Sequence, residues 1–404
     1  MNTDFLLIIC VGTIYTTMLG LLSPTVPLAA SVLGATTALV GLIASSRAII
    51  QSGLRMPMGE SADRFGWELF YGVSFILGLA SGVTFFIGMV TKQVLLFIPA
   101  QILWGLTAAS FRVTEPAYIS EMGTESERPQ LLGRYLTITG IGQLIGPPIA
   151  GWLIDHISYE AVFMVFTCLA IAGFFSTLPL LRKNRKKQSQ ESTEVIHRER
   201  NGILESYSKG FNIFRTKRNV ALATFGSFLM TLCYSVGVSF HPLFLRGIGL
   251  VSFEIGILLA VRDISAIFSR ILTAKIMGLI GNRFNMFLGI TCISIGIMIT
   301  PTIINPLIAI IPLFLAGFGF GIIYPSLISL VAVETKREER GLAMGVFGTG
   351  LATGFGIGSI IFGIIADIFS NLDMAFILSG LSSLFGLFLI LCYLFIKRDL
   401  KFPG

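Results

Sequence analysis

The sequence predicts an all-α membrane protein of twelve transmembrane helices in two parallel six-helix repeats around a central cavity. Three observations carry this. The 404 residues are 54% apolar and only 13% charged, against about 25% charged in soluble domains. The apolar residues fall into runs of the ~20 residues that a ~30 Å hydrocarbon core requires. The chain also superposes on itself. A shift of 215 residues matches Pro27 with Pro242, Gly34 with Gly249, Gly41 with Gly256, Arg47 with Arg262, Arg55 with Arg270 and Gly66 with Gly281. A shift of 212 matches Gly133 with Gly345, Gly142 with Gly354, Gly146 with Gly358, Gly151 with Gly363 and Asp155 with Asp367.

The spans are expected near 5–30, 36–58, 69–91, 94–120, 132–154, 160–181, 219–244, 252–276, 283–303, 306–331, 340–366 and 373–396. The first lacks a basic leader and is long, so it is expected to stay as a span. One long connection, 182–218, is polar and basic and opens with Arg182, Lys183, Arg185, Lys186 and Lys187. It separates an N-terminal bundle, 1–181, from a C-terminal bundle, 219–404. Because six is even, both copies enter the bilayer from the same side, which places a cavity between them near the midplane.

Of 29 Lys and Arg, two (Lys92, Arg246) fall in the connections of one face and five (Arg47, Arg55, Arg112, Arg262, Arg270) within spans. The rest lie on the other face with both termini and 182–218, and basic residues are retained on the cytoplasmic side. Both termini are therefore expected in the cytoplasm of a multi-pass plasma-membrane protein. The net charge of +7 reads as a topology signal with attraction to anionic headgroups, rather than as nucleic-acid binding. The five cysteines lie inside apolar runs without a CxxC pair, so neither a metal site nor a disulfide framework is expected, and no cofactor is indicated.

Gly59-Glu60-Ser61-Ala62-Asp63-Arg64-Phe65-Gly66 follows the second span and resembles the signature loop of the major facilitator superfamily. The resemblance implies alternating access by two rocking bundles and a cytoplasmic gate of Gly59, Asp63, Arg64 and Gly66, with Glu121 as the acid that Arg64 can pair with. Trp67 and Glu68 stand where the family usually has basic residues. In the fifth span, Gly142-Gln143-Leu144-Ile145-Gly146-Pro147-Pro148-Ile149-Ala150-Gly151 is similar to the family's antiporter motif, typical of proton-coupled exporters. Small residues there also permit plain helix packing, and Pro147 removes a backbone bond. The ending Ser23-Pro24-Thr25-Val26-Pro27 is similar to that of twelve-span drug exporters. Gln101 stands where many antiporters of the family have arginine.

Ionisable residues inside a membrane cost ~2.5–3.5 kcal/mol each even on lenient scales and mark function by default. Arg47, Gln51 and Arg55 share one helical face; Arg262 and Arg270 repeat the spacing. Arg47 and Arg262 are expected at mid-depth, either holding an anionic group or bracing each bundle against a neighbouring acid. Asp263 adjoins Arg262 but projects about 100° away on the helix. Arg112 and Glu115, three residues apart, can pair. Proton coupling needs a buried carboxylate that binds and releases protons; Glu115, Asp263 and Asp63 are the candidates, with Glu115 the first choice and Arg112 its partner. Tyr15, Phe111, Tyr234, Phe240, Tyr324 and Phe347 are the aromatic cavity candidates, and His241 reads as a structural histidine.

There is no Gly-x4-Gly-Lys-Ser/Thr phosphate loop and no hydrolase motif. The expected function is secondary active, proton-coupled efflux of amphipathic small molecules by a monomer rather than an enzyme. Transport of an organic or inorganic anion through Arg47 and Arg262 is the alternative, and a flippase or receptor on the same scaffold shares every feature counted.

Overall fold

The computed structural model describes the backbone of residues 3–65, 67–121, 128–190, 203–335 and 337–396. No strand occurs among the described residues. Six helices form the first bundle: α1 (Thr3–Val32), α2 (Thr37–Phe65), α3 (Trp67–Val90), α4 (Phe97–Glu121), α5 (Arg128–His156) and α6 (Tyr159–Gln190). A connecting helix follows, α7 (Ile203–Thr216), and then α8 (Arg218–Gly247), α9 (Ser252–Met298), α10 (Pro306–Glu334), α11 (Arg337–Ile368) and α12 (Leu372–Ile396).

Helix α9 runs through the eighth and ninth expected spans. It is broken at Gly281, whose φ of 78° and ψ of 163° are not helical. That left-handed φ is a conformation glycine adopts at little cost. Counting α9 as two segments gives the twelve expected spans. Ten are long and apolar enough on composition alone. The other two are α5, diluted by Gln143, its glycines and its prolines, and the first part of α9, which carries Arg262, Asp263 and Arg270.

The repeat holds at the turns. Gly34 and Gly249, matched by the 215-residue shift, both take positive φ, 83° and 95°, in the connections after α1 and α8. We call the face bearing these turns the far face, and the face with both termini and the 182–218 connection the linker face.

The 182–218 connection was expected to be a polar linker. Within it α6 continues to Gln190 and α7 forms a separate short helix. Gly210 of α7 lies against Val346 and Leu342 of α11, and Ile213 is buried, whereas Phe211 is 68% exposed. Lys217 fastens the end of this segment to α11 through Glu339 at 2.5 Å and to the Glu334 carbonyl at the end of α10 at 3.3 Å.

Helix contacts inside each bundle depend on glycine and are matched between repeats. A Cβ on Gly142 would strike the Thr13 carbonyl of α1; one on Gly354 would strike the Phe228 carbonyl of α8. Gly146 lies against Gly20, and Gly358 against Leu232. These small residues let backbones approach where hydrocarbon offers no hydrophobic drive for association. Helix α5 thus packs on α1 as α11 packs on α8.

Candidate transport site between the bundles

Arg47 lies ten residues into α2 from Thr37, and Arg262 ten residues into α9 from Ser252. At 1.5 Å per residue each is roughly 15 Å from the far face, near the middle of a ~30 Å core. A second pair of matched glycines fixes them there. A Cβ on Gly105 of α4 would come within 2.8 Å of the Arg47 carbonyl, and one on Gly317 of α10 would collide with the Arg262 carbonyl. The backbone carrying each arginine is therefore pinned against the neighbouring helix of its own bundle. Gln101, one turn before Gly105, is buried, and its Oε1 has no hydrogen-bond partner.

The two arginines differ in their surroundings. Arg262 is 4% and Asp263 7% exposed. Its Nε and Nη2 both lie 3.2 Å from Asp263 Oδ1, while Nη1 is buried without a partner. The expected 100° divergence of these neighbours is overcome because the long arginine side chain curls back to the carboxylate. The position matching Asp263 in the first repeat is Ala48. Arg47 has no hydrogen bond to a carboxylate among the described residues. Its guanidinium instead sits 5.9 Å from the ring centre of Phe355, on α11 of the other bundle, and within electrostatic reach of Tyr15 and Arg112.

An aromatic ladder adjoins Arg262. Tyr234 lies under the guanidinium at 5.8 Å and stacks on Phe320 at 4.5 Å. Phe320 is 6.0 Å from Tyr324, which is 6.1 Å from Phe347. Tyr234, Phe320 and Tyr324 are half-buried and Phe347 is buried. Aromatic faces this close to a cation combine quadrupole attraction with a large apolar surface.

Four of the aromatic cavity candidates, Tyr15, Phe111, Phe240 and Phe347, are buried. Tyr15 and Phe111 stack at 4.0 Å inside the first bundle, with Trp104 on one side and Tyr71 and Phe75 meeting Phe111 edge-on. Phe240 is fully buried between helices, reached by the Gly363 contact. Large rings of this kind fill the bundle interior because close packing leaves no void for them to face. His241 is buried; its Nε2 lies 3.0 Å from Thr300 Oγ1, while its Nδ1 has no hydrogen-bond partner.

Gln51 is half-buried on the Arg47 face, and Arg112 and Arg270 are exposed. Glu115, Arg55, Gly59, Asp63, Arg64, Gly66 and Glu121 lie outside the residues whose side chains are described. The antiporter-like segment faces two ways: Gly142 and Gly146 abut α1, whereas Pro147 and Gly151 abut α9 of the opposite bundle. Phe320 and Phe355 went unrecognised in the sequence because 34 phenylalanines give no reason to single out two. The matched pair Gly105 and Gly317 carried a signal, being 212 residues apart like the other repeat positions.

Comparison with known proteins agrees with this fold. The family model for the Major Facilitator Superfamily matches residues 8–348 and 305–401. Multidrug resistance protein 1 of Bacillus subtilis is 26% identical over 369 residues, covering 89% of this chain and 88% of its own length. An MFS-type transporter of Methanocaldococcus jannaschii is 25% identical over 90% of this chain and 91% of its own. Among solved structures, the nucleoside transporter NupG superposes with a TM-score of 0.75 at 16% identity, covering 97% of this chain and 99% of its own. A bacterial homologue of the lysosomal transporter Spinster, inward-facing and occupied, gives 0.71 at 14% identity, covering 99% and 98%. With its duplicated bundles and paired mid-depth arginines, this chain belongs to the major facilitator superfamily and is a membrane transporter.

Proposed function

We propose that the protein exports amphipathic small molecules across the plasma membrane by alternating access, in exchange for protons. The observation that carries this reading is the mid-depth juxtaposition of a buried Arg262–Asp263 pair with the Tyr234–Phe320–Tyr324–Phe347 ladder. Rings accept flat apolar bodies of varied shape, and the charged pair offers one polar contact. The similarity to Multidrug resistance protein 1 along most of the chain supports the same substrate class.

On this reading the linker face is cytoplasmic, by the bias of Lys and Arg. Glu115 with Arg112 carries the proton, with Asp263 as the second candidate. Gly59, Asp63, Arg64, Gly66 and Glu121 form the cytoplasmic gate, and the monomer is the working unit. In sealed vesicles with an imposed pH gradient, movement of a cationic or neutral amphipathic fluorophore is expected to stop when a protonophore is added. Glu115→Gln is expected to abolish the response to the gradient; coupling that survives this change rules Glu115 out.

A second reading, transport of an organic or inorganic anion, is favoured by the surplus of cations. Arg47 and Arg262 both lie at mid-depth, Asp263 is bonded to Arg262, and Arg262 Nη1 has no hydrogen-bond partner. Under it, Arg47→Gln abolishes movement of carboxylate-bearing compounds and spares neutral ones.

A further inference from the structure

The two bundles are joined on the far face by matched carboxylate caps. Asp155, in the last turn of α5, accepts the Ser252 N–H at 3.0 Å and the Phe253 N–H at 2.7 Å, one on each oxygen. These are the first two residues of α9 in the other bundle. Asp367, in the last turn of α11, accepts the Thr37 N–H and the Ala38 N–H, each at 2.9 Å, again one per oxygen. Those are the first two residues of α2, and the Thr37 hydroxyl adds a third bond to Asp367. The 212-residue shift carries Asp155 onto Asp367, and the 215-residue shift carries Thr37 and Ala38 onto Ser252 and Phe253.

The first N–H groups of a helix have no partner within it and carry its positive end, so they normally take a side-chain cap from the preceding residue. Before α9 that residue is Val251, whose side chain has no oxygen. There the cap comes from the opposite bundle; before α2, Thr36 Oγ1 accepts the Leu39 N–H at 3.3 Å and Asp367 takes the two N–H groups ahead of it. Glycine makes the approach possible: Gly151, one turn before Asp155, meets the Ser252 carbonyl, and Gly363, one turn before Asp367, meets the Thr37 carbonyl. Opening the far face must separate four N–H groups from two carboxylates, breaking charge-assisted bonds that are stronger than neutral ones.

From this we infer that Asp155 and Asp367 are paired positioning residues of the transport cycle: they latch the far face shut and set how often the mid-depth site is exposed there. The inference rests on the transporter reading for its purpose, but its test needs neither substrate nor proton gradient. In full-length protein whose five cysteines are replaced by serine, Ser45→Cys places a thiol on the fully buried seam between α2 and α11. Right-side-out vesicles are then treated with a membrane-impermeant maleimide.

Asp155→Asn with Asp367→Asn is expected to raise the labelling rate at least about tenfold, the shift that loss of a charge-assisted bond would give. Phe253→Pro deletes a donor without touching a carboxylate and is expected to act in the same direction. Asp373→Asn, a half-buried acid at the start of α12 with no bond across the seam among the described residues, is expected to leave the rate unchanged. Labelling that stays at the parent rate in both latch variants overturns the inference, as does an equal rise in Asp373→Asn. If labelling responds while the pH-gradient experiment fails, the latch stands and the proton reading falls; the reverse outcome removes the latch alone.

Discussion

Arg262→Ala alone is expected to destabilise the C-terminal bundle by about 3–5 kcal/mol, because it leaves the Asp263 carboxylate buried without its cation. Both side chains are almost fully enclosed and their contact is direct. Removing both partners, in Arg262→Ala with Asp263→Ala, is expected to recover most of that loss, since two desolvated charges disappear together. Thermal unfolding of the purified protein in detergent, run as a double-mutant cycle, measures the difference. Arg47→Ala is expected to change stability far less, as the described structure gives Arg47 an aromatic ring rather than a carboxylate. Equal losses in Arg262→Ala and the double variant would show that the pair does not brace the bundle.

The second large effect concerns the seam between bundles. Gly256 of α9 abuts Pro147 and Pro148 of α5, where an added Cβ would stand 2.8 Å from the Pro148 Cα. Its repeat counterpart Gly41 abuts Ser359 of α11, with the carbonyl carbon at 2.9 Å. The positions across the seam are also matched, since Pro147 and Ser359 are 212 residues apart. Rigid backbone atoms at these distances cannot yield as a flexible side chain would. Gly41→Val with Gly256→Val is therefore expected to wedge the far face open and lower the transport rate more than about tenfold, the effect of about 1.4 kcal/mol on a population. Each bundle is expected to keep its own fold, because neither glycine faces its own bundle. Gly247→Ala, with no atom within 4 Å of the new carbon, serves as the neutral comparison. Transport rate and unfolding temperature, measured together, separate a wedged seam from a damaged bundle.

Much of this architecture is written in the hydropathy and in the two internal shifts. Twelve segments, the break at Gly281 and the turns at Gly34 and Gly249 follow from them. Helix α7 does not, since at 14 residues it is too short to span, and its apolar residues Ile203, Leu204, Phe211, Ile213 and Phe214 register only in a helical-period reading, not in span-length hydropathy. Arg47 and Arg262 were legible because burying a guanidinium in hydrocarbon is costly and seldom incidental. The Arg262–Asp263 contact was not, because a helical wheel fixes the direction of Cβ and not where a long side chain ends. For Tyr15, Phe111 and Phe240, residue type alone cannot tell a ring that lines a cavity from one that fills a bundle. The match of Asp155 with Asp367 was visible, but only coordinates place each beside the opposite bundle's helix start.

The tightest approaches between bundles, at residues 37–47 against 355–367 and 147–155 against 252–256, run from the far face to mid-depth. The structure is thus closed on the far face, and the proposed alternating access calls for a second state with the closure transferred to the linker face. Spin labels at Thr91 and Asn371 report the far face, and labels at Arg134 and Val333 report the linker face. Pulsed dipolar distances between each pair, recorded as the pH is lowered or substrate added, test this most directly. Rocking of the bundles predicts that the far-face distance lengthens as the linker-face distance shortens. Distances that stay fixed, or that lengthen together, would contradict it.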